Sequence, residues 1–103
     1  MKLKQTLVAM VTMGAMSTAA WADITIGVNL SLTGGGAALG LPMQSMIKTF
    51  PSSIAGEKVN VIVLDDASDP GKAAQNARRF VNQDKVDVIF GGNLTPTTMA
   101  IGP

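Results

Sequence analysis

Two stretches of this chain concentrate side chains able to do chemistry. "DDASDP" places carboxylates at Asp65, Asp66 and Asp69, and "GGNLTPTT" gathers an amide at Asn93 with hydroxyls at Thr95, Thr97 and Thr98. A third stretch, "TGGGAALG" from Thr33 to Gly40, has few functional groups, but its glycines let backbone approach a ligand closely. The sequence holds no His and no Cys. Thiol nucleophiles, disulfides, Ser-His-Asp triads and Cys/His zinc sites therefore cannot be assembled from these residues.

Each stretch has a chemical and a structural reading. Paired acids at a strand end can hold Mg²⁺, as in phosphoacceptor receiver domains. That chemistry also needs an acceptor carboxylate after the third strand, where Phe90, Gly91 and Gly92 stand. The structural reading is stronger: Asp69 precedes Pro70 as a helix cap, while Asp65 and Asp66 end a strand and accept hydrogen bonds from nearby backbone. The glycine loop is not a P-loop, because Gly40 is followed by Leu41 and Pro42 instead of Lys and Ser/Thr. Gly34 and Gly36 begin a dinucleotide fingerprint, but Leu39 occupies the third glycine position, and Asp65 lies well beyond the usual spacing of about 20 residues. The loop is then either a plain turn or a ligand-facing segment at the carboxyl end of a strand.

Thr95 before Pro96 has the form of a cap followed by a helix start. Free amides at such a start favour anions. Asn93, Thr95 and Thr97 lie around it, and no catalytic base does. A site of this kind holds a carboxylate without transforming it; the plainer alternative is that Thr95 only caps its own helix. No catalytic residue and no metal ligand is assigned.

The elements that must position these groups follow from periodicity. "DITIGVNLSL", Asp23 to Leu32, alternates as a strand, with Ile24, Ile26, Val28, Leu30 and Leu32 on one face. "EKVNVIVLDD", Glu57 to Asp66, is a second strand, apolar on both faces toward its end, and "KVDVIFGG", Lys85 to Gly92, a third. Between the last two, "DPGKAAQNARRFVNQ" is an amphipathic helix with Ala73, Ala77, Phe80 and Val81 on its apolar side. "LPMQSMIKTF", Leu41 to Phe50, predicts a short helix that ends at Pro51, followed by an irregular link, "PSSIAG". Alternation of strand and helix predicts an α/β fold with a doubly wound, Rossmann-like parallel sheet, the third strand beside the first and opposite the second.

The amino terminus is built differently. Lys2 and Lys4 form a basic head, Leu7 to Met16 an apolar run, and "AWA" at Ala20 to Ala22 a small-x-small seam. This is the layout of a cleavable signal peptide over residues 1–22. The apolar run is too short and too diluted for the roughly 20 residues of a spanning helix. Cleavage removes Lys2 and Lys4 from eight basic residues and leaves six against seven acidic ones, a net charge of −1. Such a charge nominates no nucleic-acid partner, and the length of 103 residues leaves room for one small domain at most.

Taken in order, "ITIGVNLSLTG", "ALG", "VIVLDDASDPGKAAQNARRFV", "DKVDVIFGG" and "TPTT" resemble the branched-chain (leucine/isoleucine/valine) amino-acid-binding components of ABC transporters over Ile24 to Pro103. The resemblance implies a type I periplasmic binding protein of two hinged lobes with the ligand in the cleft between them. Residues 23–103 would be an incomplete amino-terminal lobe. It further implies ligand contacts from Leu39, with Ala37 and Ala38 beside it, and from Thr95, with Asn93 and Thr97 beside it. The implied function is capture of an amino acid or related small carboxylate in the periplasm for an inner-membrane permease, with no cofactor and no reaction. Some relatives carry an aromatic residue at the position of Leu39 and a Cys pair where Ser68 and Leu94 stand. Two rivals are a cytosolic dinucleotide-binding enzyme fragment and the ligand-sensing domain of a receptor.

Overall fold

The computed structural model describes residues 22–102. The signal peptide expected over residues 1–22 lies outside the described residues except for Ala22. The described chain runs β1 (Ile24–Leu30), a 3-10 turn (Gly34–Gly36), α1 (Ala37–Ile47), β2 (Ser53–Ile54), β3 (Glu57–Asp65), α2 (Pro70–Asn82), β4 (Val88–Gly91) and α3 (Thr95–Ile101).

The sheet order is β2-β3-β1-β4. β1 pairs in parallel with β3, Ile26 opposite Val61 and Val28 opposite Val63, and with β4, Val28 opposite Phe90. The expected placement of the third predicted strand, now β4, beside the first and opposite the second is thus observed. One strand was missed. The expected irregular link contains β2, which turns back antiparallel onto β3 with Ile54 opposite Glu57. Its two-residue turn, Ala55-Gly56, has φ of 52° and 82°, the left-handed pair that lets a tight hairpin follow the strand twist.

Helices cover both faces, as in a doubly wound sheet. Ile26, Val28 and Leu30 point to the α1 side and pack with Ile47, Phe50, Val61 and Val63. On the other face Phe80 of α2 is fully buried over Gly27, where a Cβ would stand 2.7 Å from its ring. That contact explains a glycine in the middle of a strand, where it would otherwise weaken the pairing.

α1 begins four residues before the expected start at Leu41 and continues through Pro42. The proline removes only the amide that would serve Ala38, an exposed residue whose carbonyl water can satisfy. What sets this early start is contact: Gly40 lies so close to the Ser31 carbonyl oxygen that no Cβ fits between them. The helix thereby seats its backbone directly on the end of β1. α2 matches expectation, with the Asp69 carboxylate accepting from the Lys72 amide at 2.7 Å and Pro70 in the first position.

Candidate functional site at the carboxyl edge of the sheet

Three loops meet where β1, β3 and β4 end, and polar side chains bind them to one another. The Asp65 carboxylate accepts from the amides of Leu32 (2.9 Å), Thr33 (3.3 Å) and Ala67 (2.8 Å) and from the Thr33 hydroxyl (2.6 Å). Burial raises the Asp65 pKa, but the Thr33 hydroxyl and then the amides of Ala67, Leu32 and Thr33 outweigh it and hold the group below its ordinary 3.8. Asp66 is fully buried and accepts from the Asn29 amide (2.7 Å), the Ser31 hydroxyl (2.7 Å) and the Ser68 backbone (2.8 Å). Asn76 of α2 reaches across to the Asn29 side chain and to the Asp65 carbonyl. The acids therefore serve the chain itself, as the strand-end and capping reading expected.

The candidate ligand residues divide into two pairs. Asn93 spends its amide internally: its Oδ1 accepts from the Ser31 backbone at 2.8 Å and its Nδ2 donates to the Gly36 carbonyl at 3.2 Å, which ties the β4–α3 loop to the glycine turn. Thr97 is fully buried, and its hydroxyl donates to the Leu94 carbonyl at 3.0 Å. Thr98 donates to the same oxygen at 2.8 Å. Thr95 is exposed and its hydroxyl makes no hydrogen bond among the described residues. Leu39, in the first turn of α1, is 57% exposed. Among the described residues, the edge thus presents the unpartnered Thr95 hydroxyl and the exposed Leu39 side chain, on elements held together by Asn93 and by Leu94 against Gly36.

One detail of the expected helix start changes. Thr95 is not the cap; Leu94 is, in extended conformation, and its carbonyl accepts the Thr98 amide at 2.9 Å. Thr95 and Pro96 are the first two helical residues, so the Thr95 hydroxyl is released from capping. The Asn29–Ser31–Asp66–Asn76 network was not foreseen from sequence. A usable signal existed: Asn29 and Ser31 are polar at alternating positions of a strand otherwise rich in apolar residues, and such groups, once buried, need partners.

This edge lies at the carboxyl ends of parallel strands, where open α/β sheets place their ligands. The sequence profile of the periplasmic binding protein family matches residues 23–103. The chain belongs to the periplasmic binding protein family. A Leu/Ile/Val-binding protein homolog 1 of Brucella abortus is 32% identical over 90 residues, covering 82% of this chain and 24% of the relative. An extracellular ligand-binding receptor from Rhodopseudomonas palustris HaA2 superposes with a TM-score of 0.73 at 50% identity, over 76% of this chain and 22% of the receptor. A solute binding protein of an ABC transporter from Rhodopseudomonas palustris BisB5, solved with 3,4-dihydroxybenzoic acid, gives 0.67 at 33% identity, over 76% of this chain and 23% of that protein. The chain spans about a quarter of the length of the relatives it matches. The fold is that of part of a type I periplasmic binding protein domain.

Proposed function

We propose that the chain supplies the first part of the amino-terminal lobe of an extracytoplasmic solute-binding protein, which captures an amino acid or related small carboxylate and presents it to an ABC permease. The observation that carries this reading is the division of polar groups at the carboxyl edge. Asp65 and Asp66 are filled by internal donors, whereas the Thr95 hydroxyl has no partner among the described residues and lies at the start of α3. A donor of this kind suits a carboxylate, and the exposed Leu39 suits an apolar or aromatic body attached to it. Asn93 and Thr97 support the same edge from within. Leucine, isoleucine and valine, for which one relative is named, and the 3,4-dihydroxybenzoic acid solved with another each combine a carboxylate with an apolar or aromatic body. An exported protein of this type acts outside the inner membrane, in keeping with the signal peptide expected over residues 1–22.

The test is calorimetry of L-isoleucine and 3,4-dihydroxybenzoate on a full-length receptor in which residues 23–103 replace the matched part of the Rhodopseudomonas palustris HaA2 protein. Thr95→Ala is expected to weaken the bound probe by about 1–3 kcal/mol, the cost of removing a donor from a buried charged partner. Unchanged affinity would remove Thr95 from the site.

A further inference from the structure

Ser68 does something none of the readings above requires. Its hydroxyl donates to the Thr33 carbonyl at 2.8 Å and accepts from the Gly36 amide at 2.9 Å, bridging both ends of the 3-10 turn from a loop on the neighbouring strand. Its backbone is in the left-handed region with φ of 63°, directly after Ala67 at 52°, and neither residue is a glycine. Left-handed conformation is unfavourable for Ala and Ser. It is held here by the Asp65 carboxylate on the Ala67 amide and the Asp66 carboxylate on the Ser68 amide. Gly34 completes the interlock: its φ is 78°, and a Cβ on it would meet the Ala67 carbonyl at 2.7 Å and the Ser68 hydroxyl at 2.9 Å. The strained pair thus delivers one hydroxyl to the turn from which α1 and Leu39 spring.

We propose that Ser68 is a positioning residue, a bolt from the β3–α2 loop that fixes the Thr33–Gly36 turn and, through it, the ligand-facing start of α1. Its role at the ligand edge rests on the solute-binding reading, whereas its hold on the turn does not. A glycine at position 68 separates positioning from mere structural support, because it removes the hydroxyl and at the same time relieves the left-handed backbone.

The experiment is amide hydrogen exchange by mass spectrometry on the 103-residue chain at low concentration, paired with thermal melting. Ser68→Gly is expected to accelerate exchange at Gly36 at least tenfold while β1 amides and the melting midpoint stay close to those of the unsubstituted chain. Ser45→Ala, which removes an exposed α1 hydroxyl bonded to the Leu41 carbonyl, is expected to leave Gly36 unchanged. Unaltered exchange at Gly36, or acceleration spread evenly over the chain, would overturn the proposal. Gly34→Ala, which pushes on the same contact from the opposite side, is expected to reproduce the local acceleration and provides a second reading should Ser68→Gly unfold. In the grafted receptor Ser68→Gly is expected to weaken whichever probe binds by about tenfold; full affinity there would overturn the role at the ligand edge. If neither probe binds the unsubstituted graft, the solute-binding reading fails for those probes, and exchange at Gly36 still decides the bolt.

Discussion

A carboxylate at the end of a strand either binds something outside the chain or serves donors within it, and Asp65 serves donors within. Three backbone amides and one hydroxyl point at it, and together they outweigh the desolvation that would raise its pKa. A folded-state pKa below the unfolded 3.8 means that Asp65 contributes stability above that value and that this contribution is lost as pH falls through the lower folded value. The acid limb of a pH–stability curve is accordingly expected to flatten below pH 4 in Asp65→Asn. Asp65→Ala should cost about 1–3 kcal/mol at neutral pH, since the Leu32, Thr33 and Ala67 amides lose their acceptor. Urea midpoints measured across pH check both. Gly40 acts through shape alone. Gly40→Ala must lift α1 from the Ser31 carbonyl, and a loss of about 1–3 kcal/mol in the same assay is expected.

At the scale of elements, legibility followed the locality of the cause. α2 was readable because its cap, its proline and its apolar stripe all lie within its own residues, Asp69, Pro70 and Ala73 to Phe80. α1 was misplaced because Thr33 to Gly40 read as a glycine loop, while the contacts that continue the helix back to Ala37 come from Ser31 and Ser68. β2 was missed because two exposed residues, Ser53 and Ile54, have no periodicity to read. The hairpin itself offers a prediction: Ala55 occupies a left-handed position that Asn tolerates better. Ala55→Asn is expected to stabilise by up to about 1 kcal/mol, seen as a rise of a few degrees in the melting midpoint.

At the scale of the molecule, the two edges of the sheet differ. One is closed by the short hairpin strand β2, and the other, β4, exposes Val88 and Phe90. Phe90 meets Phe50 edge-on at 6.2 Å beside an open apolar groove that Met43, Met46 and Ile47 also line. Among the described residues the buried apolar side chains are few: Ile26, Val28, Leu30, Ala73 and Phe80. An open edge next to an exposed apolar groove and a small core promotes association. The chain expressed alone is therefore expected to self-associate with rising concentration in sedimentation or light scattering. Phe90→Lys should reduce that association, and a monomer with sharp, dispersed NMR signals at high concentration would contradict the expectation.

The sequence alone determined the α/β alternation, the amphipathic α2, the order of the parallel strands and the resemblance to amino-acid-binding proteins. Each of these is carried by local periodicity, caps or the succession of short motifs. Tertiary structure alone decided which polar groups at the carboxyl edge are free. Asn93 and Thr97 matched Thr95 in type and neighbourhood, yet Asn93 is drawn inward by Ser31 and Gly36, and Thr97 by its burial and the Leu94 carbonyl. A hydrogen-bonding side chain serves a solute through whatever donor or acceptor capacity the fold leaves unused. Its partners here stand as many as 62 residues away along the chain, beyond the reach of any local pattern.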